Sequence, residues 1–365
     1  MAYIPPKKIL KNYAKVLVNF AAGKGEGIKK GETVLVQTSE IAKPLLAELA
    51  KEIWEKGGNI VLRYSPSNDT VFSFNREFYI RASEDQLTFF PEKLMKGQID
   101  SIDHLISISA ETNMHALRGI DPKKFMLSGK AMKQYTDWCF EKENRGKFSW
   151  TVDLYGTEAM ALEARMSQEE YWEQIAHACY LDKKDPIKEW KKVSKQIENY
   201  QKKLTDLKIE RVHVVGTDVD LWITIGKQRK WVSGGGANIP SFEIFTSPDW
   251  RGTNGWILFN QPLYRYGNLI EGIKLQFSDG KVVKSSATKN EKVLKAMIAT
   301  DGADKIGEFS LTDNRFSRIT KFMAQTLYDE NIGGTNGNTH IALGNAYPEC
   351  FAGDPVKLGK RGFEK

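Results

Sequence analysis

Three glutamates and one histidine in the last third of the chain are of the types that bind divalent metal ions. Glu243 lies among apolar residues between two prolines, and Glu308 directly follows a glycine. Glu330 lies just before a Gly-Gly pair, and His340 lies in a segment rich in small residues, with no histidine after it. Carboxylate oxygen and imidazole nitrogen together form a ligand set that Zn²⁺, Mn²⁺ and Co²⁺ prefer. The sequence therefore predicts a metal site if the fold brings these four residues together.

Each of these residues taken alone has a less specific interpretation. Glu243 fits an exposed strand residue, Glu308 a loop or capping acid, and Glu330 a solvated acid. A single histidine such as His340 is more often a hydrogen-bonded core residue than a ligand. Tyr347 fits a half-buried aromatic residue. The set is more specific than any member, and we interpret the segments that carry it as loops.

The second half of the chain, which must position this set, is predicted to be rich in β-structure. Short runs with alternating polarity occur at residues 212–215, 221–225 and 273–277. The last run is followed by Asp279-Gly280 and another apolar stretch, which is a strong signal for a β-hairpin. We therefore predict a β-rich α+β domain, the catalytic one, over residues 206–365.

The first half shows a strand, helix, strand order. Residues 33–37, 59–64 and 104–109 are short apolar runs that predict strands, and the pattern between the first two predicts a helix from Pro44 to a Gly-Gly stop at residue 57. No GxGxxG motif follows a strand, which removes the usual dinucleotide fingerprint. We predict an open α/β domain over residues 1–205, so that the fold class of the whole chain is α/β.

Two helices are predicted before the domain boundary. A capping box at residues 167–170 opens the first, and the second is a long amphipathic helix that begins at about Pro186. The predicted buried stripe of the second helix consists of Ile187, Trp190, Ile197, Leu204 and Leu207.

Composition and charge exclude several classes of protein. The chain of 365 residues is 41% hydrophobic and 27% charged, which is typical of a folded protein and not of a disordered one. Its net charge of +7 is spread along the chain, and the densest basic stretch, residues 188–203, alternates with acidic and apolar residues. This pattern favours the solvated face of a helix over a nucleic-acid interface. The three cysteines form no pairing motif, and the sequence contains neither a signal peptide nor a membrane-spanning run. We therefore predict a cytoplasmic protein without a membrane partner.

Four motifs resemble those of a known family. They are Asn-Ile-Pro-Ser-Phe-Glu-Ile-Phe-Thr-Ser-Pro at 238–248, Ile-Gly-Glu at 306–308, Tyr-Asp-Glu-Asn at 328–331 and His-Ile-Ala-Leu-Gly-Asn-Ala-Tyr at 340–347. On these motifs the chain resembles the thermophilic aminopeptidase T family of dinuclear metallo-aminopeptidases. The resemblance extends over essentially the whole chain. It implies a homodimer that removes the N-terminal residue of peptides by a metal-activated water.

Position by position, the resemblance also implies roles for the site residues. Glu243, Glu308, Glu330 and His340 match metal ligands, with Glu308 as the bridge between two divalent ions, which would be Zn, Co, Mn or Mg. Glu308, Glu330 and Tyr347 match catalytic positions: Glu330 would carry a proton to the leaving amine, and Tyr347 would donate to the developing oxyanion.

The chain departs from the family pattern at one point. That pattern closes with a His-x-Asp motif soon after the tyrosine, which supplies two further ligands, and no histidine follows His340 here. The chain is then either a fragment or a relative that lost half of its metal pair, and the sequence at residues 359–365, with no closing turn or cap, favours a fragment. The alternatives are a non-catalytic peptide- or metal-binding relative and, ranked last, a basic nucleic-acid-binding module.

Overall fold

The computed structural model describes residues 3–67 and 73–354. Residues 359–365, for which the sequence predicts no closing turn or cap, lie outside the described residues. The α-helices are α1 Lys7–Val16, α2 Lys43–Glu55, α3 Phe74–Arg81, α4 Glu84–Thr88, α5 Glu92–Ser101, α6 Pro122–Ala131, α7 Lys133–Asn144, α8 Glu158–Glu163, α9 Gln168–Ala178, α10 Pro186–Asp206, α11 Glu291–Ile298 and α12 Thr326–Asp329. The strands are β1 Thr33–Ser39, β2 Asn59–Ser65, β3 His104–Ser109, β4 Ser149–Leu154, β5 Arg211–Gly216, β6 Val219–Thr224, β7 Val232–Ser233, β8 Asn238–Ile239, β9 Glu243–Thr246, β10 Asn254–Leu258, β11 Leu263–Arg265, β12 Asn268–Ile270, β13 Lys274–Ser278, β14 Lys281–Ser286, β15 Ile306–Thr312 and β16 Asn338–Leu343.

The first half of the chain forms a parallel sheet, as the sequence predicts. Its strand order is β2-β1-β3-β4-β8, and every neighbouring pair is parallel. The interior strand β1, which pairs with β2 and β3, is buried on both faces, with Val34, Leu35 and Val36 at 0% exposure. A strand covered on both sides reads in sequence as a continuous apolar run, which is why residues 33–37 predicted it. The α/β fold class is therefore confirmed.

The second half is built from antiparallel strands. One sheet has the order β14-β13-β10-β6-β5, a second the order β16-β15-β9-β7, and β11 pairs with β12. The predicted hairpin joins β13 and β14, and its two turn residues, Asp279 and Gly280, have φ values of 50° and 82°. Asp and Gly occupy this left-handed region more readily than most residues, so the Asp-Gly pair specified the turn.

The two predicted helices before the boundary are present, with one correction. Ser167 and Glu170 form the capping box of α9, and α10 begins at Pro186. Trp190 and Ile197 of the predicted stripe are buried, but Leu207 is 67% exposed and the prediction that it is buried is wrong. Leu207 is the residue that follows the last turn of α10, so helical spacing no longer determines which way its side chain faces.

The division into residues 1–205 and 206–365 stays a prediction. The short strand β8 lies beyond the predicted boundary and yet pairs with β4 in the parallel sheet. The main hydrophobic core also includes residues from both halves, from Leu10 to Tyr328. Among the described residues, no helix has the length and apolar character needed to cross a membrane.

One acidic side chain, that of Asp153, is fully buried in the core. Asp153 lies on β4 at 0% exposure. Its Oδ1 accepts a hydrogen bond of 3.3 Å from the Thr151 hydroxyl, and its Oδ2 has no hydrogen-bond partner in the part of the chain that the structure describes. Burial disfavours the charged form and raises the pKa of Asp153 well above its ordinary value of 3.8.

Asp153→Asn is expected to stabilise the protein at neutral pH. Because the folded pKa of Asp153 lies above the unfolded value, the folded state holds the proton more tightly, and the free energy of unfolding falls as pH rises above about 4. The neutral amide removes this loss, so the variant should exceed the wild type at pH 7, with the difference shrinking towards pH 4. Urea unfolding of both proteins across this range measures it, with Asp206→Asn on the exposed end of α10 as a control. A difference in the free energy of unfolding between wild type and Asp153→Asn that stays constant from pH 4 to pH 7 would contradict the prediction.

Candidate metal centre

Three of the predicted ligands lie on adjacent strands of one sheet. Strand β15 pairs antiparallel with β9 on one side and with β16 on the other. Glu243 of β9 lies opposite Thr312, and His340 of β16 lies opposite Ser310. Since side chains alternate along a strand and directly paired residues point to the same side, Glu308 shares its face with Glu243 and His340. The interpretation of these segments as loops is therefore wrong for these three residues.

The side-chain ends of these three residues converge. His340 Nε2 lies 3.4 Å from Glu243 Oε2 and 3.5 Å from Glu308 Oε1. One ligand atom from each residue lies within 4.8 Å of the others, which among the described residues is the only such group of histidine, cysteine or acidic side chains. A tetrahedral ion with bonds of about 2.0–2.1 Å separates its ligand atoms by about 3.3 Å. The observed spacing therefore suits ligands arranged around one small ion.

The orientation of His340 supports the same interpretation. Its Nδ1 lies 3.0 Å from the carbonyl oxygen of Glu330. A carbonyl only accepts, so Nδ1 must carry a proton and donate it. In the neutral ring Nε2 then carries the lone pair, and that nitrogen faces the two carboxylates. A metal-binding histidine is usually held by such a hydrogen bond at its other nitrogen.

Hydroxyl groups hold the carboxylate of Glu243. Ser310 donates to its Oε2 at 2.9 Å, and Ser241 donates to its Oε1 at 3.3 Å. Glu243 is 5% exposed, and its burial raises its pKa, while the nearby His340 opposes that change. Ser310 was not among the predicted site residues, although its position two residues after Glu308 in a strand marks it as facing the same side.

Glu330 lies beside the three converging residues. It follows the last residue of α12, and its side chain is outside the group of three. Burial, followed by repulsion from Glu243, raises its pKa to about 8. Burial alone would lower the pKa of His340, but the hydrogen bond to Glu308 and the surrounding carboxylates raise it to about 9. This excess of negative charge favours a cation among the four side chains.

Tyr347 lies in the segment that follows β16, held against the sheet. Its backbone N–H donates to the Ser247 hydroxyl at 2.8 Å, and its ring packs edge-on to Phe245 with centroids 5.2 Å apart. Burial and then the charge of Glu308 raise its pKa, so the phenol stays protonated. Gly307 allows this segment to approach, because a Cβ at that position would lie 2.3 Å from the carbonyl oxygen of Asn345.

The donor set fits a divalent ion. Two carboxylates and one imidazole with its lone pair directed inward are the oxygen and nitrogen ligands of Zn²⁺ and its neighbours. A protonated His340 would balance part of the negative charge, and a bound cation would do the same for three buried carboxyl groups that lie close enough together to repel one another. The structure thus brings Glu243, Glu308 and His340 together and places Glu330 and Tyr347 beside them, while their functional roles stay predictions.

Comparison with known proteins gives the family. Residues 6–364 match the thermophilic metalloprotease (M29) family, and the chain belongs to it. The chain is therefore a metal-dependent hydrolase by family, as the motifs predicted. This membership implies divalent metal ions.

Individual relatives agree with this family. Aminopeptidase PepS of Streptococcus thermophilus is 28% identical over 95% of this chain and 86% of its own length. Aminopeptidase T of Thermus thermophilus is 26% identical over 93% of this chain and 86% of its own length. The solved structure of wild-type AmpT from Thermus thermophilus matches with a TM-score of 0.80 and 24% identity over 98% of this chain and 90% of that one. The structural match confirms the fold.

Proposed function

We propose that the protein is an aminopeptidase that hydrolyses the N-terminal residue of peptides at a centre formed by Glu243, Glu308 and His340. The observation that carries this proposal is the convergence of these side chains, with the Nδ1 of His340 bonded to a carbonyl and its Nε2 facing the carboxylates. The relatives named aminopeptidases supply the substrate class, which is peptides. The ions proposed are Zn, Co, Mn or Mg.

Each residue of the site has a distinct proposed part in catalysis. A divalent ion held by Glu243, Glu308 and His340 would supply a water activated near neutral pH and would polarise the scissile carbonyl. Glu308, on the strand between those of Glu243 and His340, would provide the carboxylate ligand in the middle of the centre. Glu330, buried beside the three ligands, would take a proton from the nucleophile and return it to the leaving amine, because the positive charge of a bound ion favours its ionised form. Tyr347, still protonated, donates its hydroxyl to the negative charge that develops on the carbonyl oxygen.

The number of ions is part of the proposal. The family resemblance implies two ions per complete site, with a His-x-Asp motif that is not in these 365 residues. The three converging residues provide ligands for one ion. The cytoplasmic location, the homodimer and the lack of a nucleic-acid partner also stay predictions.

Metal binding and hydrolysis measured together test the proposed function. The wild type should bind Zn²⁺ by equilibrium titration, while His340→Ala should lose most of this binding because it deletes the imidazole of the site. His213→Ala, which changes a histidine on β5, is the matched control and should bind as the wild type does. An aminoacyl p-nitroanilide should be hydrolysed and its N-acetylated form should not. Metal binding without hydrolysis of free-amine substrates would favour the non-catalytic metal-binding alternative.

A further inference from the structure

A single buried amide joins two segments that carry site residues. Asn331 is 0% exposed, and its Oδ1 accepts a hydrogen bond of 2.9 Å from the backbone N–H of Phe242. Its Nδ2 donates to the carbonyl of Leu327 at 3.5 Å. Phe242 directly precedes Glu243, and Asn331 directly follows Glu330. The amide therefore connects the start of β9 to the turn after α12.

The hydrogen bond between Asn331 and Phe242 lies just before the point where β9 begins to pair with β15. The pairing of β9 with β15 ends at Glu243, opposite Thr312, so Phe242 has no partner in that ladder. Phe242 is 1% exposed, and water does not reach its N–H as it would at a free strand end. Without Asn331 this buried donor would be unpaired, which is costly and loosens the end of the strand that carries Glu243.

The same turn also orients the histidine. The carbonyl of Glu330 accepts from His340 Nδ1 at 3.0 Å and from Asn338 Nδ2 at 2.7 Å. The Ser317 hydroxyl donates to the carbonyl of Asn331, which fixes the turn from its other side. A shift of this turn would therefore move the ring of His340 together with Glu330.

We propose that Asn331 is a positioning residue for the metal centre, which holds Glu243 at the correct distance from His340 and so raises the affinity for the ion. The proposal rests on the proposed function, since it assumes that Glu243 and His340 bind a metal. Ligand atoms 3.4 Å apart leave little tolerance, and supporting hydrogen bonds of this kind change metal affinity about 10- to 100-fold.

Two variants separate positioning from general stability. Asn331→Ala removes the acceptor for the Phe242 N–H, whereas Asn331→Asp keeps an oxygen in the same place and loses the donor to Leu327. Asn268→Ala is the matched control, because Asn268 is also buried and its Nδ2 donates to the carbonyl of Tyr266. For each full-length protein, the dissociation constant for Zn²⁺ is measured by competition with a chromophoric chelator, and the melting temperature is measured without metal.

Asn331→Ala is expected to weaken Zn²⁺ binding about 10- to 100-fold. Asn331→Asp should stay within about threefold of the wild type, because the link to Phe242 remains. Asn268→Ala should lower the melting temperature and leave Zn²⁺ binding unchanged. Binding by Asn331→Ala equal to that of the wild type, or an equal loss in Asn331→Asp, overturns the proposal. A wild type that binds Zn²⁺ but does not hydrolyse aminoacyl substrates would instead count against the proposed function, with Asn331 still judged by the binding series.

Discussion

Glu308→Gln is expected to weaken Zn²⁺ binding by at least about 100-fold and to abolish aminopeptidase activity, because it removes the charged ligand on the middle strand of the centre. Glutamine has nearly the same volume, so the buried site keeps its packing and the fold should persist. Glu308 lies on β15, between the strands that carry Glu243 and His340, and its Oε1 lies 3.5 Å from His340 Nε2.

Equilibrium titration with Zn²⁺ measures the affinity of the wild type and of Glu308→Gln, and circular dichroism checks that both are folded. Glu349→Gln is the matched control, since it removes the same charge from a carboxylate close enough to Glu308 for the two charges to interact. This control should bind Zn²⁺ within about threefold of the wild type, because Glu349 is outside the converging group. Near-normal turnover by Glu308→Gln with metal retained would remove Glu308 from the site.

Tyr347→Phe should reduce kcat about 100- to 1,000-fold with almost no change in Zn²⁺ affinity. The phenol is kept protonated by burial and by the nearby carboxylates, so it is available as a donor when the carbonyl oxygen becomes negative. The ring packing against Phe245 does not need the hydroxyl, and phenylalanine should preserve it. The effect is thus expected on the transition state and not on the ground-state structure.

Steady-state kinetics on an aminoacyl p-nitroanilide, together with Zn²⁺ titration, separate these effects. Tyr135→Phe serves as the control because it also removes one hydroxyl from a buried tyrosine, in a hydrophobic cluster different from that of Tyr347. Loss of Zn²⁺ binding in Tyr347→Phe, in step with the loss of kcat, would assign the tyrosine a structural role. An unchanged kcat would exclude it from catalysis.

The two variants also distinguish the alternatives left by the sequence. A non-catalytic metal-binding relative would lose Zn²⁺ binding in Glu308→Gln and would show no turnover for Tyr347→Phe to reduce. A nucleic-acid-binding module would respond to neither variant and would instead lose affinity steeply with added salt.

The sequence by itself determined the local elements and the types of the site residues. The apolar run at 33–37 predicted a strand, and Asp279-Gly280 predicted a hairpin, because each is specified by neighbours along the chain. The four motifs also identified the family, which the match over residues 6–364 confirmed. The helix pattern failed at Leu207, where the helix ends and periodicity no longer determines burial.

Only the tertiary structure decided how the site is assembled. Glu243, Glu308 and His340 are far apart in sequence, and they share one face because β15 pairs in a particular register with two other strands. No local pattern fixes that register, since it depends on contacts between segments separated by tens of residues. The same is true of Asn331, whose hydrogen bond to Phe242 spans 89 positions. Residue types therefore followed from the sequence, while distances, orientation and supporting contacts followed from strand pairing.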